Sequence, residues 1–227
     1  MPKNVAETLA EARERVSLLT QSLPNCVDPL GISVKSKIPY KVIAYREALI
    51  WRTEEIARSA CDMYQRNDLA AAILLTRAAS ENGAAMWFLY ELVRKQVEGV
   101  FDSELDVRVE RLLMGSRNNS EMPEAMQVLT MLDKAEKAAP GIRKNYESLC
   151  EYAHPNWSGT GYLYSKIDKD KILTNFGKNP RGSEGPAGTG LNSLICSLVL
   201  FEHAYNAIAD ILPAFVTACE AAIKNND

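Results

Sequence analysis

The chain has 227 residues, a length that suits one domain of ordinary size or at most two small ones. Its 47% apolar and 24% charged content is typical of a globular protein and excludes a disordered chain, a collagen or a coiled-coil rod. The net charge of -3 excludes a globally basic nucleic-acid binder. The five cysteines are scattered without a CxxC pair, and no signal peptide is evident, so we expect a cytoplasmic protein without a disulfide framework.

Two amphipathic helices are predicted in the first third of the chain. Apolar residues recur at helical spacing across residues 4–23 and again from Pro39 to about residue 67, which gives each helix one face to bury. Pro24 ends the first helix, because proline lacks the amide hydrogen that a helix interior needs. Residues 1–37 are therefore predicted to form an N-terminal helix and a loop.

Residues 69–93 are predicted to form the most apolar helix. Their apolar side chains surround the helix on nearly every side, which is typical of a helix at the centre of a bundle or across a membrane. Arg77, Glu81 and Asn82 lie in the middle of this segment and would be costly in hydrocarbon. We therefore predict the central helix of a bundle and expect no contact with a membrane.

Four further helices are predicted in the second half of the chain. Apolar residues recur at helical spacing in three shorter segments, at about 103–116, 122–138 and 141–153. The same spacing continues through a long last segment at about 190–224. Every long element of the chain is therefore predicted to be helical.

Residues 159–190 differ from the rest, because they contain seven of the twelve glycines. The segment near 160–177 is predicted to form a small β-hairpin or irregular excursion, and residues 177–190 a glycine-rich loop. With six or seven helices around this excursion, residues 1–227 are predicted to form a single all-α multi-helix bundle.

Arg77 and Glu81 are the first candidate binding residues. They are four positions apart on the central helix, so their side chains lie on one face. Buried charges are costly unless they are paired and hydrogen-bonded, which leaves two interpretations: a structural ion pair, or a polar cavity for a ligand. Arginine suits the second, because its planar guanidinium donates two parallel hydrogen bonds to a carboxylate or phosphate.

His154 is the candidate catalytic residue. It lies at a predicted helix end, where the helix dipole favours the imidazolium form, and Tyr152 and Asn156, close to it in sequence, are further candidate binding residues. His154 could act as a general acid or base there, or it could simply cap the last carbonyls. Glu151 and His154 also have the spacing of a di-iron motif, but that site needs two copies, so we predict no metal and no cofactor.

A basic strip with interspersed aromatic residues lies around the predicted hairpin. Such a strip is typical of proteins that bind single-stranded nucleic acid, but lysines also prevent unwanted pairing at the edge of a solvated hairpin. Both interpretations stay open. The members of the strip are Lys166, Lys169, Lys171, Lys178, Arg181, Tyr162, Tyr164 and Phe176.

Two short strings together resemble a known group of proteins. Arg77-Ala-Ala-Ser-Glu81 and the later Tyr152-Ala-His-Pro-Asn156 resemble segments of bacterial helical proteins that are distantly similar to the HEPN group. The resemblance covers roughly residues 40–215. It implies a compact helical bundle, often a homodimer, in a group that includes RNA-cleaving toxins, abortive-infection proteins and non-catalytic binding modules.

The chain departs from the active nucleases of that group. These carry an arginine and a histidine on one helix with four to six residues between them, whereas ten residues separate Arg143 from His154. The first hypothesis is therefore a self-associating binding module in which Arg77, Glu81 and His154 form a buried polar cluster for a small anionic ligand. The alternative is an RNA-cleaving enzyme with His154 as general base and Arg77 or Arg143 stabilising the phosphorane.

Overall fold

A computed structural model describes residues 4–100 and 102–224. Within these residues the chain forms eight α-helices, one π-helical turn and one two-stranded sheet, which confirms the predicted all-α bundle with a small hairpin. The single domain predicted for residues 1–227 includes residues that lie outside this description. In chain order the elements are α1 (Val5–Gln21), α2 (Pro29–Ile32), α3 (Ile38–Gln65), α4 (Leu69–Val97), α5 (Leu105–Leu113), α6 (Val128–Ala138), α7 (Ile142–Ala153), the π-helical turn (Trp157–Tyr162), β1 (Ser165–Asp168), β2 (Leu173–Phe176) and α8 (Glu184–Lys224).

The two most apolar helices, α4 and α8, form the centre of the bundle. α3, α6 and α7 pack against α4, and α1 packs against α3 and α8. Small polar side chains let the two central helices approach closely, and the hydroxyls of Ser80 and Ser197 share a hydrogen bond of 2.8 Å in the core. The buried residues of α4 confirm the central position predicted for residues 69–93.

β1 and β2 pair antiparallel as a hairpin, residues 165–176, with Ser165 opposite Phe176 and Asp168 opposite Leu173. This element confirms the β-hairpin predicted near residues 160–177. Its strands pack against each other and against the π-helical turn that precedes them. The hairpin is therefore an appendage of the bundle rather than part of its core.

The predicted glycine-rich loop, residues 177–190, is wrong in its second half, because α8 begins at Glu184. Glu184 suits the first turn, where a negative charge offsets the helix dipole, and Pro186 lies where its missing amide hydrogen is not needed. Gly190 serves packing rather than flexibility. A Cβ atom there would lie 1.9 Å from the Tyr64 hydroxyl, so glycine lets α8 approach α3.

Two other predicted boundaries also differ from the structure. Residues 122–127 are not helical, because this segment forms a parallel bridge between Ser116 and Glu124, and α6 begins only at Val128. The N-terminal loop contains the single helical turn α2. The Leu30 amide of this turn donates a hydrogen bond to the side chain of Asp28. The bridge keeps residues 122–127 out of a helix, whereas the Asp28 side chain caps the start of α2.

α8 is the longest helix of the chain. By length and composition it is the one helix in residues 4–100 and 102–224 that could cross a membrane, but the core helix of a soluble protein meets the same criterion. In this structure α8 packs against α1, α3, α4 and α7. The criterion therefore does not assign it to a membrane.

Candidate functional site

Tyr146 joins Arg77 to Glu81 across the interface between α4 and α7. Arg77 and Glu81 are one helical turn apart, with Arg77 Nε 3.6 Å from Glu81 Oε1. The Tyr146 hydroxyl accepts a hydrogen bond from Arg77 Nε at 3.2 Å and donates one to Glu81 Oε1 at 2.9 Å. We call these three residues the polar bridge. The predicted ion pair is therefore present, with a third member that holds it to a second helix.

The polar bridge lies at the edge of the core. Tyr146 is buried, but the side chains of Arg77 and Glu81 are 33% and 28% exposed. The prediction of a fully buried charge cluster is wrong in this respect, because a cavity opens beside the bridge between α4, α6 and α7. The charges of Arg77 and Glu81 therefore remain accessible to a ligand.

The environment fixes the protonation of the polar bridge. Burial raises the pKa of Tyr146 to about 12, the hydrogen bond to Glu81 acts in the same direction, and Arg77 opposes both. The hydrogen bond to Tyr146 raises the pKa of Arg77. At neutral pH the tyrosine is therefore a neutral hydrogen-bond donor and the guanidinium is a cation.

A cavity of about 750 Å³ lies beside the polar bridge. Its walls are α4, α7, the start of α6 and the loop between α5 and α6. This volume is in the range of ordinary small-molecule sites. Its lining includes two arginines, two glutamates, a tyrosine and two aliphatic residues: Arg77, Arg117, Glu81, Glu124, Tyr146, Val128 and Leu129.

The loop between α5 and α6 is held in place by close contacts. Arg111 Nε donates a hydrogen bond of 2.7 Å to the carbonyl of Glu124. Gly115 makes the approach of the two loop ends feasible, because a Cβ atom there would lie 2.7 Å from the Cα of Ala125. The loop therefore forms a fixed wall of the cavity.

Both arginines of the cavity retain free donors. Within the described parts of the chain, neither Nη group of Arg77 has an acceptor, and Arg117 has no ion-pair or hydrogen-bond partner. The carboxylates are engaged, because Glu81 accepts from Tyr146 and Glu124 lies 3.5 Å from Arg111 Nη2. The cavity is therefore suited to a ligand with negative charge.

His154 lies outside the polar bridge. It is exposed just after the end of α7, and its ring has no hydrogen-bond or ion-pair partner among the described residues. It follows Tyr146 by eight residues, a separation of about 12 Å along a helix. The structure therefore brings Arg77 and Glu81 together but does not add His154 to them.

Tyr152 and Asn156 have local structural contacts. The Tyr152 ring meets the Tyr162 ring edge to face, with centroids 6.4 Å apart, and burial raises the pKa of Tyr152. Asn156 Nδ2 donates to Glu151 at 2.9 Å, and its Oδ1 accepts from the Gly159 amide at 3.1 Å. These contacts fix the π-helical turn rather than a site around His154.

Among the residues of the cavity, sequence reasoning missed Tyr146 and the second arginine, Arg117. Tyr146 had a detectable signal, because it shares the apolar face of α7 with Ile142 and Leu149, where a buried hydroxyl needs a partner. Arg117 had no such signal. It lies in an irregular loop whose position depends on contacts with residues distant in sequence.

The sequence analysis also missed a more deeply buried ion pair. Arg46 and Glu47 on α3 are 9% and 12% exposed, and they form an ion pair beside Tyr205 of α8. The Arg46 guanidinium lies 3.5 Å from the ring centroid of Tyr205, whose hydroxyl donates to Glu47 at 2.6 Å. Arg46 shares the helical stripe of Val42 and Leu49, which is the signal of burial. Since these groups satisfy each other, the cluster joins two helices and does not resemble a ligand site.

Comparison with models of protein families, with curated proteins and with solved structures gives no match. The HEPN-like resemblance therefore stays a prediction. What the structure defines is an all-α bundle with a lateral polar cavity, and its function has to be inferred from the chemistry of that cavity.

The polar bridge predicts a loss of stability at alkaline pH. The folded chain holds the Tyr146 proton more tightly than the unfolded chain, so this contribution is complete below about pH 10 and is lost as pH rises through about 12. Tyr146→Phe removes the titrating group. In urea unfolding at a series of pH values, we expect a shallower decline for this variant between pH 10 and 12 than for wild type. Parallel declines would contradict the assignment.

Proposed function

We propose that this chain is a binding module that holds a small organic anion in the cavity beside the polar bridge. The observation that supports the proposal is the state of Arg77: its Nε is held by Tyr146, while both Nη groups lack an acceptor among the described residues. A guanidinium held in this way loses little side-chain freedom when it binds a carboxylate or phosphate in bidentate fashion.

The other walls of the cavity limit the ligand further. Arg117 offers a second positive charge, and Val128 and Leu129 offer apolar contacts. The best match is a molecule with a carboxylate or phosphate group and a small apolar body. As expected from the sequence, the proposed module self-associates and lies in the cytoplasm.

In residues 4–100 and 102–224, no contact favours the alternative function, RNA cleavage with His154 as general base. Arg143 is engaged by Asp133 at 2.8 Å and by Glu147 at 2.9 Å. It lies eleven residues before His154, about 16 Å along a helix. A general base must reach the proton that it removes beside a group that stabilises the developing charge, so we place the binding module first.

Thermal unfolding in the presence of ligands tests the proposal. We expect inorganic phosphate or a small organic carboxylate to raise the Tm of wild type, since a ligand at a hundredfold excess over its Kd adds about 2.7 kcal/mol of stability. Arg77→Lys keeps the charge but loses the planar fork, and we expect it to weaken binding at least about tenfold by calorimetry.

Arg108→Lys is the matched control. Arg108 lies on α5 and is paired with Asp102 and Glu104 at the surface, so its replacement should leave ligand affinity at the wild-type value. If wild type and Arg77→Lys bind every anion with equal affinity, the cavity is not the binding site. The absence of a Tm shift across phosphate and the carboxylates would remove the binding function.

A further inference from the structure

The hairpin displays apolar side chains to solvent. Ile172 is 90% exposed and Phe176 is 82% exposed, and Ile167 and Leu173 are also exposed. Single exposed apolar residues are common, but this twelve-residue hairpin has four: the register places Ile167 and Phe176 on one face and Leu173 on the other, and Ile172 lies in the turn. Such an element is typical of a surface that meets another body.

The same hairpin carries free positive charge. Lys166, Lys169 and Lys171 have no ion-pair or hydrogen-bond acceptor for their ammonium groups in the described residues. The hairpin also contains two acids: Asp168 accepts from the amides of Asp170 and Lys171 at 3.1 Å, and Asp170 is exposed. The hairpin therefore has a net positive charge, whereas the whole chain has a net charge of -3.

The base of the hairpin is anchored while the tip is not. Lys178, just after β2, forms an ion pair with Asp68 at the start of α4. Asn179 Nδ2 donates a hydrogen bond of 3.0 Å to the carbonyl of Asn67. These contacts fix the hairpin on the bundle and leave its turn and strands accessible.

We propose that the hairpin is a membrane-contacting element that binds a surface of anionic phospholipid, with its exposed apolar side chains among the lipid chains and its lysines at the headgroups. Charge complementarity identifies this partner, because lysines beside exposed apolar residues match a negatively charged interface. Stable membrane anchoring generally takes two signals together, and the hairpin combines exposed apolar side chains with lysines.

RNA and a second copy of the chain fit the hairpin less well. Single-stranded RNA is held by positive charge together with several aromatic rings on which successive bases stack, whereas this hairpin exposes one ring, Phe176, beside three aliphatic side chains, and Arg181 lies over the Trp157 ring at 5.0 Å. Pairing of two hairpins about a twofold axis would bring identical sets of lysines together. The expectation of no membrane contact depended on α4 and did not take the exposure of the hairpin into account.

Cosedimentation of the full chain with vesicles tests the proposal. We compare vesicles of phosphatidylcholine alone with vesicles that contain about one fifth phosphatidylserine. We expect partitioning into the anionic vesicles to be about tenfold higher or more, and to fall as salt is added. Lys169→Gln and Lys171→Gln should each lower it about fivefold, and Ile172→Ser combined with Phe176→Ser about tenfold or more.

Leu30→Ser and Lys137→Gln are the matched controls, since both residues are exposed and lie outside the hairpin. These variants should bind vesicles as wild type does. Equal partitioning into both kinds of vesicle, or unchanged binding by the hairpin variants, would overturn the proposal. So would a hairpin-dependent change in sedimentation mass without vesicle binding, or hairpin-dependent retention of a single-stranded oligoribonucleotide without it.

Discussion

Arg46→Met is expected to lower the free energy of unfolding by about 3–5 kcal/mol, the usual cost of removing one partner from a buried ion pair. The substitution keeps much of the apolar stem but leaves the Glu47 carboxylate, 12% exposed, with only the Tyr205 hydroxyl as a donor among the described residues. It also removes the guanidinium from the Tyr205 ring. Urea unfolding followed by circular dichroism measures the change.

Arg66→Met is the control for this prediction. Arg66 lies at the end of the same helix and forms an ion pair with Asp68 at 3.1 Å, but its side chain is 68% exposed. Exposed pairs contribute at most about 1 kcal/mol, so the loss should be small. Similar losses for the two variants would show that the Arg46 cluster does not join α3 to α8 as the contacts indicate.

Gly190→Ala is expected to destabilise the fold by about 1–3 kcal/mol through overpacking. The new Cβ atom would lie 1.9 Å from the Tyr64 hydroxyl. That hydroxyl cannot withdraw easily, because Tyr64 is buried and its oxygen lies 2.9 Å from the hydroxyl of Thr76 in a shared hydrogen bond. The contact between α8 and α3 must therefore open, and thermal unfolding should show a lower Tm.

Gly188→Ala should have the opposite effect. Gly188 lies in the same turns of α8, but apart from its own helix backbone no atom of the described residues lies within 4 Å of its Cβ position. Alanine there reduces the freedom of the unfolded chain, and we expect a gain of about 0.5–1 kcal/mol. A loss at Gly188, or a gain at Gly190, would contradict the packing of the first turns of α8.

The helical period alone was enough to predict the class of fold. Seven segments with apolar residues at helical spacing correspond to seven of the eight α-helices, because a regular amphipathic stripe is a local property of the chain. The glycine-rich residues 184–190 were wrongly assigned to a loop. The glycine content predicts flexibility at Gly190. It does not reveal that the Tyr64 side chain leaves no room for a larger residue there.

The candidate site, like the fold, was predictable from the sequence only in part. Arg77 and Glu81 were identifiable because a spacing of four residues places two side chains on one helix face. The degree of their exposure was not predictable, since it depends on the cavity beside α6 and α7. His154 was linked to them by its chemistry alone, and its place eight residues after Tyr146, about 12 Å along a helix, puts it outside the polar bridge.

Short-range patterns in the chain therefore account for which segments are helices and which charged residues share a face. The long-range contacts account for the rest: Tyr146 completes the polar bridge from a helix about 65 residues away, and the ion pair of Arg46 and Glu47 is more deeply buried than that of Arg77 and Glu81. The physical reason is that spacing along a helix sets the direction of a side chain, whereas burial, pairing and free donors depend on which other helices pack against it.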